Sequence, residues 1–445
     1  MVANPILPIP PQSSYNTAVS ETPMKTIPFW TDGLEKPIFP QPASLPDNLD
    51  VAIIGGGYTG LNAARTLAKH GAKTAVFEQH TIGWGASSRN GGMATVGIKA
   101  PAKLMVKRYG LERGRQFWQA SLEAIDLIEQ LVNQEGLDCH FCRSGHVTLA
   151  FKSSHFETMK KTAAWYKDQL GHHTRLVSPA ELQSEIGSTA FYGGLADDTS
   201  SGLHPAQYVF ELARVVARQG VPLYENTAVT KIERNGSGFE LHTKQGVIQA
   251  KEVLVATNGY TDQLVPKLKP RIFPVGSYII VTEPLSPELQ DKLSPKRRMF
   301  YDTKNFLNYF RLTPDGRMLF GGRNNLSPNL DLQESARRLR ERMVEVFPDL
   351  RDVPITHTWT GRLGLTFDLM PHIGRIEGIH YALGYGGHGV SIATYLGTEA
   401  GLLLAGQKSS SPFMEIPHPT RFFYRRQPWF LPFAAIYYRI LDWLS

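Results

Sequence analysis

Cysteine is nearly absent from this chain: two in 445 residues, Cys139 and Cys142. A disulfide-stapled secreted scaffold needs a dense set of cysteines, so that class is excluded. The C-x-x-C spacing suggests zinc or a redox pair, but a structural zinc site needs a second ligand pair and only His140 lies close by. A thioredoxin-type pair would sit at a strand-to-helix turn, whereas Cys142 leads into the strand-like GHVTLAF. Two thiols in a reducing compartment, and no metal site, are therefore expected. No run of about 20 apolar residues is present, which excludes a membrane-spanning helix. Residues 1–49 are proline-rich and polar with no basic start followed by an apolar run, so a signal peptide is not expected there. Together with the thiols, this points to the cytoplasm. Dense Lys/Arg blocks are missing too, and a net charge of +7 is mild for this length, which argues against a nucleic-acid partner. Repeats and low-complexity tracts are not visible. What remains is the composition of an ordinary globular protein, 42% hydrophobic and 20% charged, long enough for two or three domains.

The most informative segment runs from Asp50 to Glu78. A short β-branched strand ends in Gly55, and Gly55, Gly57 and Gly60 have G-x-G-x-x-G spacing. Leu61, Ala64, Leu67 and Ala68 then repeat at helical spacing, Gly71 stops the helix, and Thr74–Phe77 forms a second strand closed by Glu78. Gly55 permits the tight turn, Gly57 lets backbone approach a pyrophosphate, and Gly60 lets helix pack on strand. The helix N-terminus offers free N–H groups to phosphates. Glu78 lies about 20 residues on, where a carboxylate receives the hydroxyls of an adenosine ribose.

Further along, helices are expected over about 102–136, 155–170, 205–219 and 331–347. A β-meander is expected over 227–250 and a strand-rich block over 271–323, with Pro314-Asp315-Gly316 as a hairpin turn. A second strand–turn–helix unit, IHYALGYGGHGVSIATYLGTEAGLLLAG, carries Gly384, Gly386, Gly387 and Gly389. A flavin that accepts a hydride gains negative charge at its N(1)–C(2)=O edge. Backbone N–H groups from Gly386 to Gly389 at a helix N-terminus would stabilise that charge. Nucleotide-type elements thus open and close the chain around a β-rich block.

The first motif, the GWGASSRNGG loop, VLVATNGY, MLFGGR and GYGGHGV together resemble the FAD-dependent D-amino-acid-oxidase/sarcosine-oxidase family, with the strongest likeness to γ-glutamylputrescine-oxidase-like members. The resemblance covers roughly residues 30 to 405. It implies an α/β fold: a Rossmann-type (GxGxxG) FAD-binding domain with an inserted β-sheet-rich α+β substrate domain. On this division residues 1–49 are an N-terminal arm, and 50–100, 200–265 and 355–406 form the discontinuous FAD-binding domain. Residues 101–199 and 266–354 form the substrate domain, and 407–445 an aromatic, basic tail. The resemblance places Gly55, Gly57, Gly60 and Glu78 on the FAD pyrophosphate and ribose, and Ser87, Ser88 and Arg89 in the loop that passes the flavin. It places Val229 against adenine through its main chain, and Gly386, Gly387, His388 and Gly389 at the flavin ring. Two departures matter. Gly321-Gly322 is followed by Arg323 where sarcosine-oxidase members carry the cysteine that attaches FAD, so non-covalent FAD is expected. Ser391 stands where those members carry a lysine for the substrate carboxylate, which points away from a small α-amino acid and towards an amine whose charge lies elsewhere.

The implied chemistry is hydride transfer from the carbon beside an amine nitrogen, giving an imine that hydrolyses to an aldehyde, with O2 as acceptor and hydrogen peroxide as product. Arg89 and His388 are the candidates for the positive charge that oxygen activation needs, and each has a structural alternative. Tyr278, Tyr309, Arg323, Trp359, Asp368 and Ser391 are candidate pocket residues, with Trp359 in the core and Asp368 capping a turn as the alternatives. The partner is a small-molecule amine. Two other readings stand beside this one: a dehydrogenase delivering electrons to a quinone or protein acceptor, and a non-enzymatic FAD-binding assembly protein. The tail RFFYRRQPWFLPFAAIYYRILDWLS, with four Arg against one Asp, offers either a membrane contact or a docked surface segment.

Overall fold

A computed structural model describes residues 23–40, 44–323, 326–327, 329–425 and 427–444. Two eight-stranded sheets dominate it. The first grows from the strand Asn48–Ile54, whose near-continuous apolar run suits a strand covered on both faces. This strand pairs in parallel with Thr74–Phe77 on one side and Gly246–Val255 on the other. Leu223–Tyr224 and Ile379–Leu383 extend the parallel sheet outward. Val51, Ile53 and Val76 face the helices Tyr58–Lys69, Pro205–Arg218 and Gly389–Leu404. Ala52, Ile54 and Ala75 face the antiparallel meander Lys231–Asn235, Gly238–Thr243 and Gly246–Val255. Gly397 and Gly401 bring the helix Gly389–Leu404 against Tyr58–Lys69: a Cβ at Gly397 would stand 2.4 Å from Thr59 O.

The second sheet runs in the spatial order Ile355–Thr366, Ile272–Pro284, Arg317–Gly322, Asn308–Leu312, Met299–Asp302, His146–Leu149, Gly194–Asp197 and Arg175–Val177. One face carries the helix Leu332–Val346, with Leu339 and Met343 against Tyr278, Ile280, Phe310 and Phe320. Ile279, Val281, Leu319 and Trp359 lie on the other face and join the core of the first layer, so the sheet roofs the nucleotide-type half.

Two expectations are corrected here. Residues 355–366, assigned to the FAD-binding part, pair with Ile272–Pro284 along almost their whole length and belong to the second sheet. Their partner is some 80 residues away in sequence, beyond the reach of any local pattern. The helix expected over 102–136 is two, Ala102–Tyr109 and Leu111–Glu135, broken where Gly110 takes φ +82°. The two cysteines are unpaired, Cys139 buried and Cys142 exposed. Among the described residues no cluster suited to a metal occurs, and no helix is long and apolar enough to cross a membrane.

Candidate active site

Packing forces the first turn to be glycine. Gly55 has φ +112°, and a Cβ at Gly60 would lie 2.0 Å from Gly55 O, an impossible contact with backbone. Gly57 caps the helix Tyr58–Lys69 without a side chain of its own. The first-turn N–H groups therefore face the turn, together with the positive end of the helix dipole. Glu78 ends the next strand beside them. Its carboxylate accepts the Gly56 N–H at 2.8 Å and the His80 N–H at 2.9 Å, which fixes both oxygens next to the turn. Thr227 N donates to Glu78 O and Asn226 N to His80 O, drawing the segment that leads to Val229 alongside Glu78. Val229 is half-buried, and among the described residues its backbone makes no hydrogen bond.

The loop Trp84–Gly92 crosses in front of the turn and is held at many points. The Ser87 hydroxyl accepts the Tyr58 N–H, and the Tyr58 hydroxyl donates to Ser87 O at 2.6 Å. Ser88 is buried and donates to Gly83 O. The Asn90 side chain bonds Ala86 O, Ser87 O and Gly92 N–H. Three distant groups bind the same loop from outside: Trp30 donates to Asn90 O, Trp359 donates to Arg89 O, and Arg311 donates to Gly92 O at 2.5 Å. Burial pushes Arg311 down to about 10, and its partners are carbonyls rather than an acid. Arg89 itself turns back over the Trp84 ring at 4.9 Å and donates to Trp84 O.

The second turn is built differently. Gly386 and Gly387 take φ +58° and +111°. A Cβ at Gly387 would meet open space, whereas one at Gly386 would strike the Lys99 side chain at 2.6 Å. Asn258 Oδ1 accepts the Gly384 N–H and Gly364 O accepts the Gly386 N–H, so the strand ends of both sheets shape the turn. His388 caps the helix Gly389–Leu404, and its Nδ1 is buried with no partner. Burial and the charges of Lys99, His146 and Arg323 push His388 down to about 3, so its imidazole is neutral. The positive charge expected of His388 lies instead on Lys99 and Arg323. Both are half-buried, and among the described residues neither side chain has a hydrogen bond or an acidic partner. The charge of Arg323, followed by burial, pushes Lys99 down to about 7, while burial lowers Arg323. Ser391, in the first turn of the same helix, is buried with an unpartnered hydroxyl.

The other candidate pocket residues divide by strand face. Tyr309 lies on the flavin-loop side: its hydroxyl is 3.0 Å from Ser277 Oγ, its ring abuts Gly91, and burial pushes it up to about 12. Tyr278 is corrected, because the alternation along its strand turns it to the far face. There its hydroxyl donates to Ser327 O and accepts Leu330 N–H. Trp359 is fully buried and acts on the loop through Arg89 O rather than as a pocket wall. Asp368 caps Met370 N–H and pairs with His372 at 3.1 Å. Burial works against its carboxylate, yet the His372 hydrogen bond and charge bring it below its ordinary range. Lys99, Arg311, Asn90 and Asn258 escaped the sequence reading. Only Asn90 and Asn258, lying within the quoted motifs, carried a signal.

These features fit FAD. The first turn leaves no room for side chains where a pyrophosphate approaches, and the second offers open backbone with orphaned polar atoms on His388 and Ser391. Neither cysteine stands at the second turn, since Cys142 bridges Gly202 and Cys139 O accepts His204 N–H. FAD is accordingly the non-covalently held cofactor. The comparisons agree. The chain is 34% identical to the probable oxidoreductase OrdL of Haemophilus influenzae over 359 residues, covering 79% of this chain and 81% of that one. It is 32% identical to the gamma-glutamylputrescine oxidoreductase of Escherichia coli over 372 residues, 83% of this chain and 87% of that one. Its fold matches the crystal structure of glycine oxidase from Geobacillus kaustophilus with a TM-score of 0.72 at 22% identity, across 84% of this chain and all of the other, a likeness of fold alone. The model of the FAD dependent oxidoreductase family matches residues 50–401. The protein is thus an enzyme of the FAD-dependent oxidoreductase family.

Proposed function

We propose that this enzyme is a cytoplasmic amine oxidase whose substrate carries a negative charge as well as the reacting amine. The observation that carries this reading is the pair of unpaired cations, Lys99 and Arg323, beside the second glycine turn. Two like charges held together without an acid raise each other's energy, and an anionic group between them relieves that cost. Bidentate geometry on Arg323 would fix its direction. The Ser277–Tyr309 hydroxyl pair would supply neutral hydrogen bonds on the same side of the roof sheet. Bound FAD supplies the hydride acceptor for the C–H beside nitrogen. The protein's share is orientation by Lys99, Arg323 and Tyr309, exclusion of water by the roof, and N–H groups from Gly386 to Gly389 for the charge that develops on reduction. For a primary amine the balance is R–CH2–NH2 + O2 + H2O giving R–CHO, NH3 and H2O2. Lys99, whose side chain lies against Gly386, and Arg323 beside it would supply the positive charge that favours reduction of oxygen, with neutral His388 at the helix cap. A dehydrogenase using a quinone is the second reading, favoured by the exposed aromatic tail.

The test is a panel of primary and secondary amines, with and without a carboxylate, assayed for peroxide and aldehyde in air and for dye reduction without it. Peroxide and aldehyde in equal amounts, fastest with a carboxylate-bearing amine, support the reading. Dye reduction without peroxide supports the dehydrogenase. No turnover of any amine overturns both.

A further inference from the structure

We propose that the C-terminal segment 421–444 is an interfacial anchor that rests this enzyme on an anionic lipid bilayer. The segment lies beyond the part of the chain that the family model matches. Of the thirteen large apolar side chains exposed among the described residues, eight fall between Phe422 and Ile440. Scattered exposed apolar residues are normal, but a contiguous cluster marks an interaction surface. This one is contiguous: the Phe423 and Trp429 rings are 6.2 Å apart, as are those of Trp429 and Phe433.

The helix Leu431–Leu444 is apolar on two opposite sides. Leu431 and Ala435 sink into a cluster with Phe273, Val275 and Leu365. Asp442 locks the same side by accepting the N–H groups of Asn305 and Phe306. Tyr424, fully buried, donates to Ile272 O and fixes the approach to the helix. At 100° per residue, Phe433, Ile436, Tyr437 and Ile440 form the opposite stripe, and all four are exposed by half or more. The docked side explains why the helix is there. It does not explain why its outer side is aromatic and aliphatic.

Charge complementarity selects the occupant. The segment carries Arg421, Arg425, Arg426 and Arg439 against Asp442, and Arg421 and Arg425 are exposed. Aromatic side chains bordered by arginines match the interfacial zone of a bilayer with anionic headgroups, where rings sit at headgroup depth and each cation near the surface adds about 1 kcal/mol. At 1.5 Å per residue a 14-residue helix is about 21 Å long, too short for the roughly 30 Å hydrocarbon core, so it lies in the plane. The anchor is independent of which amine is oxidised.

The experiment is flotation of the purified FAD-loaded enzyme with vesicles of phosphatidylcholine containing about one third phosphatidylglycerol, or of phosphatidylcholine alone. The comparison variants are Phe433→Ser/Ile436→Ser and Arg421→Glu/Arg425→Glu. Flavin absorbance and turnover of a soluble amine report that each variant is folded. Wild type is expected to float with the anionic vesicles, roughly tenfold or more better than with neutral ones, and to be released by salt. The apolar double variant should bind roughly a hundredfold more weakly, about tenfold for each side chain lost, and the charge variant should lose the preference for anionic lipid. Wild type that does not float overturns the proposal, as does flotation that the apolar variant retains. A concentration-dependent dimer that the apolar variant abolishes also overturns it, because the face would then belong to a second copy.

Discussion

The two glycine turns of this enzyme use the same residue for opposite reasons. In the first, glycine is required by what surrounds it: a Cβ at Gly60 would strike Gly55 O at 2.0 Å. In the second, a Cβ at Gly387 would touch nothing, and glycine is required by a φ of +111°. The tightest contact of the first turn is with its own chain, Gly60 against Gly55 O, and Glu78 and Ser87 brace it from outside. The second is shaped by Asn258, Gly364 and Lys99, all more than twenty residues away. One is a tightly packed backbone turn whose shape suits a phosphate. The other is an open edge whose electrostatics come from the rest of the fold.

The same substitution should therefore separate the turns. Gly60→Ala is expected to prevent stable folding with FAD, because the closest contact atom, Gly55 O at 2.0 Å, is backbone that cannot swing aside. Purified protein should be colourless and should lose its cooperative melt. Gly387→Ala should cost only the backbone term, about 1–2 kcal/mol, and should purify yellow with a lowered melting temperature. Equal damage from both would break the comparison.

At the second turn, Arg323→Met should weaken kcat/KM for a carboxylate-bearing amine by roughly 10- to 150-fold, the value of about 1.5–3 kcal/mol for a charged hydrogen bond. It should leave the oxidised flavin spectrum in place. A smaller effect follows from pH. Lys99, held down to about 7 first by Arg323 and then by burial, is a cation below that pH and neutral above it. kcat/KM for an anionic amine should fall as pH rises through about 7, since that ratio reports the free enzyme. Lys99→Arg should abolish this limb, and Arg323→Met should move it to higher pH by removing its larger cause. His388, pushed down to about 3, should contribute no titration between pH 5 and 9. The smallest effect is expected of Trp359→Phe, which deletes the bond to Arg89 O within an otherwise intact core. A loss of about 1 kcal/mol in stability, with FAD retained, is the outcome to check by thermal melting.

The contrast between the turns also explains what the sequence made legible. Strand, turn, helix and acid of the first unit fit within residues 50–78, and each is fixed by short-range geometry, so spacing alone reveals them. The second turn was visible as glycines and a helix, but its charge was not. Lys99 sits in an undistinguished GIKAP, and only the folded chain brings it beside Gly386 and Arg323. Tyr278 was misplaced for a different reason. Its strand PVGSYIIVTEP is buried on both faces, so apolar character does not tell which side faces the site. The pairing of residues 355–366 with Ile272–Pro284 is invisible in the sequence because contact across some 80 residues leaves no periodic trace. Trp359 looks like a core residue and Arg311 like an ordinary strand residue, and their action on the Arg89–Gly92 loop is a tertiary fact.

The most direct measurement is anaerobic stopped-flow mixing of the yellow enzyme with paired amines that differ only in a carboxylate, for wild type and for the Arg323→Met variant. The carboxylate-bearing amine should bleach the wild-type flavin much faster than its uncharged partner, and the variant should lose this preference while still being bleached. Wild-type flavin bleached equally by both amines would contradict the assigned role of Lys99 and Arg323, and flavin that no amine bleaches would contradict amine oxidation itself.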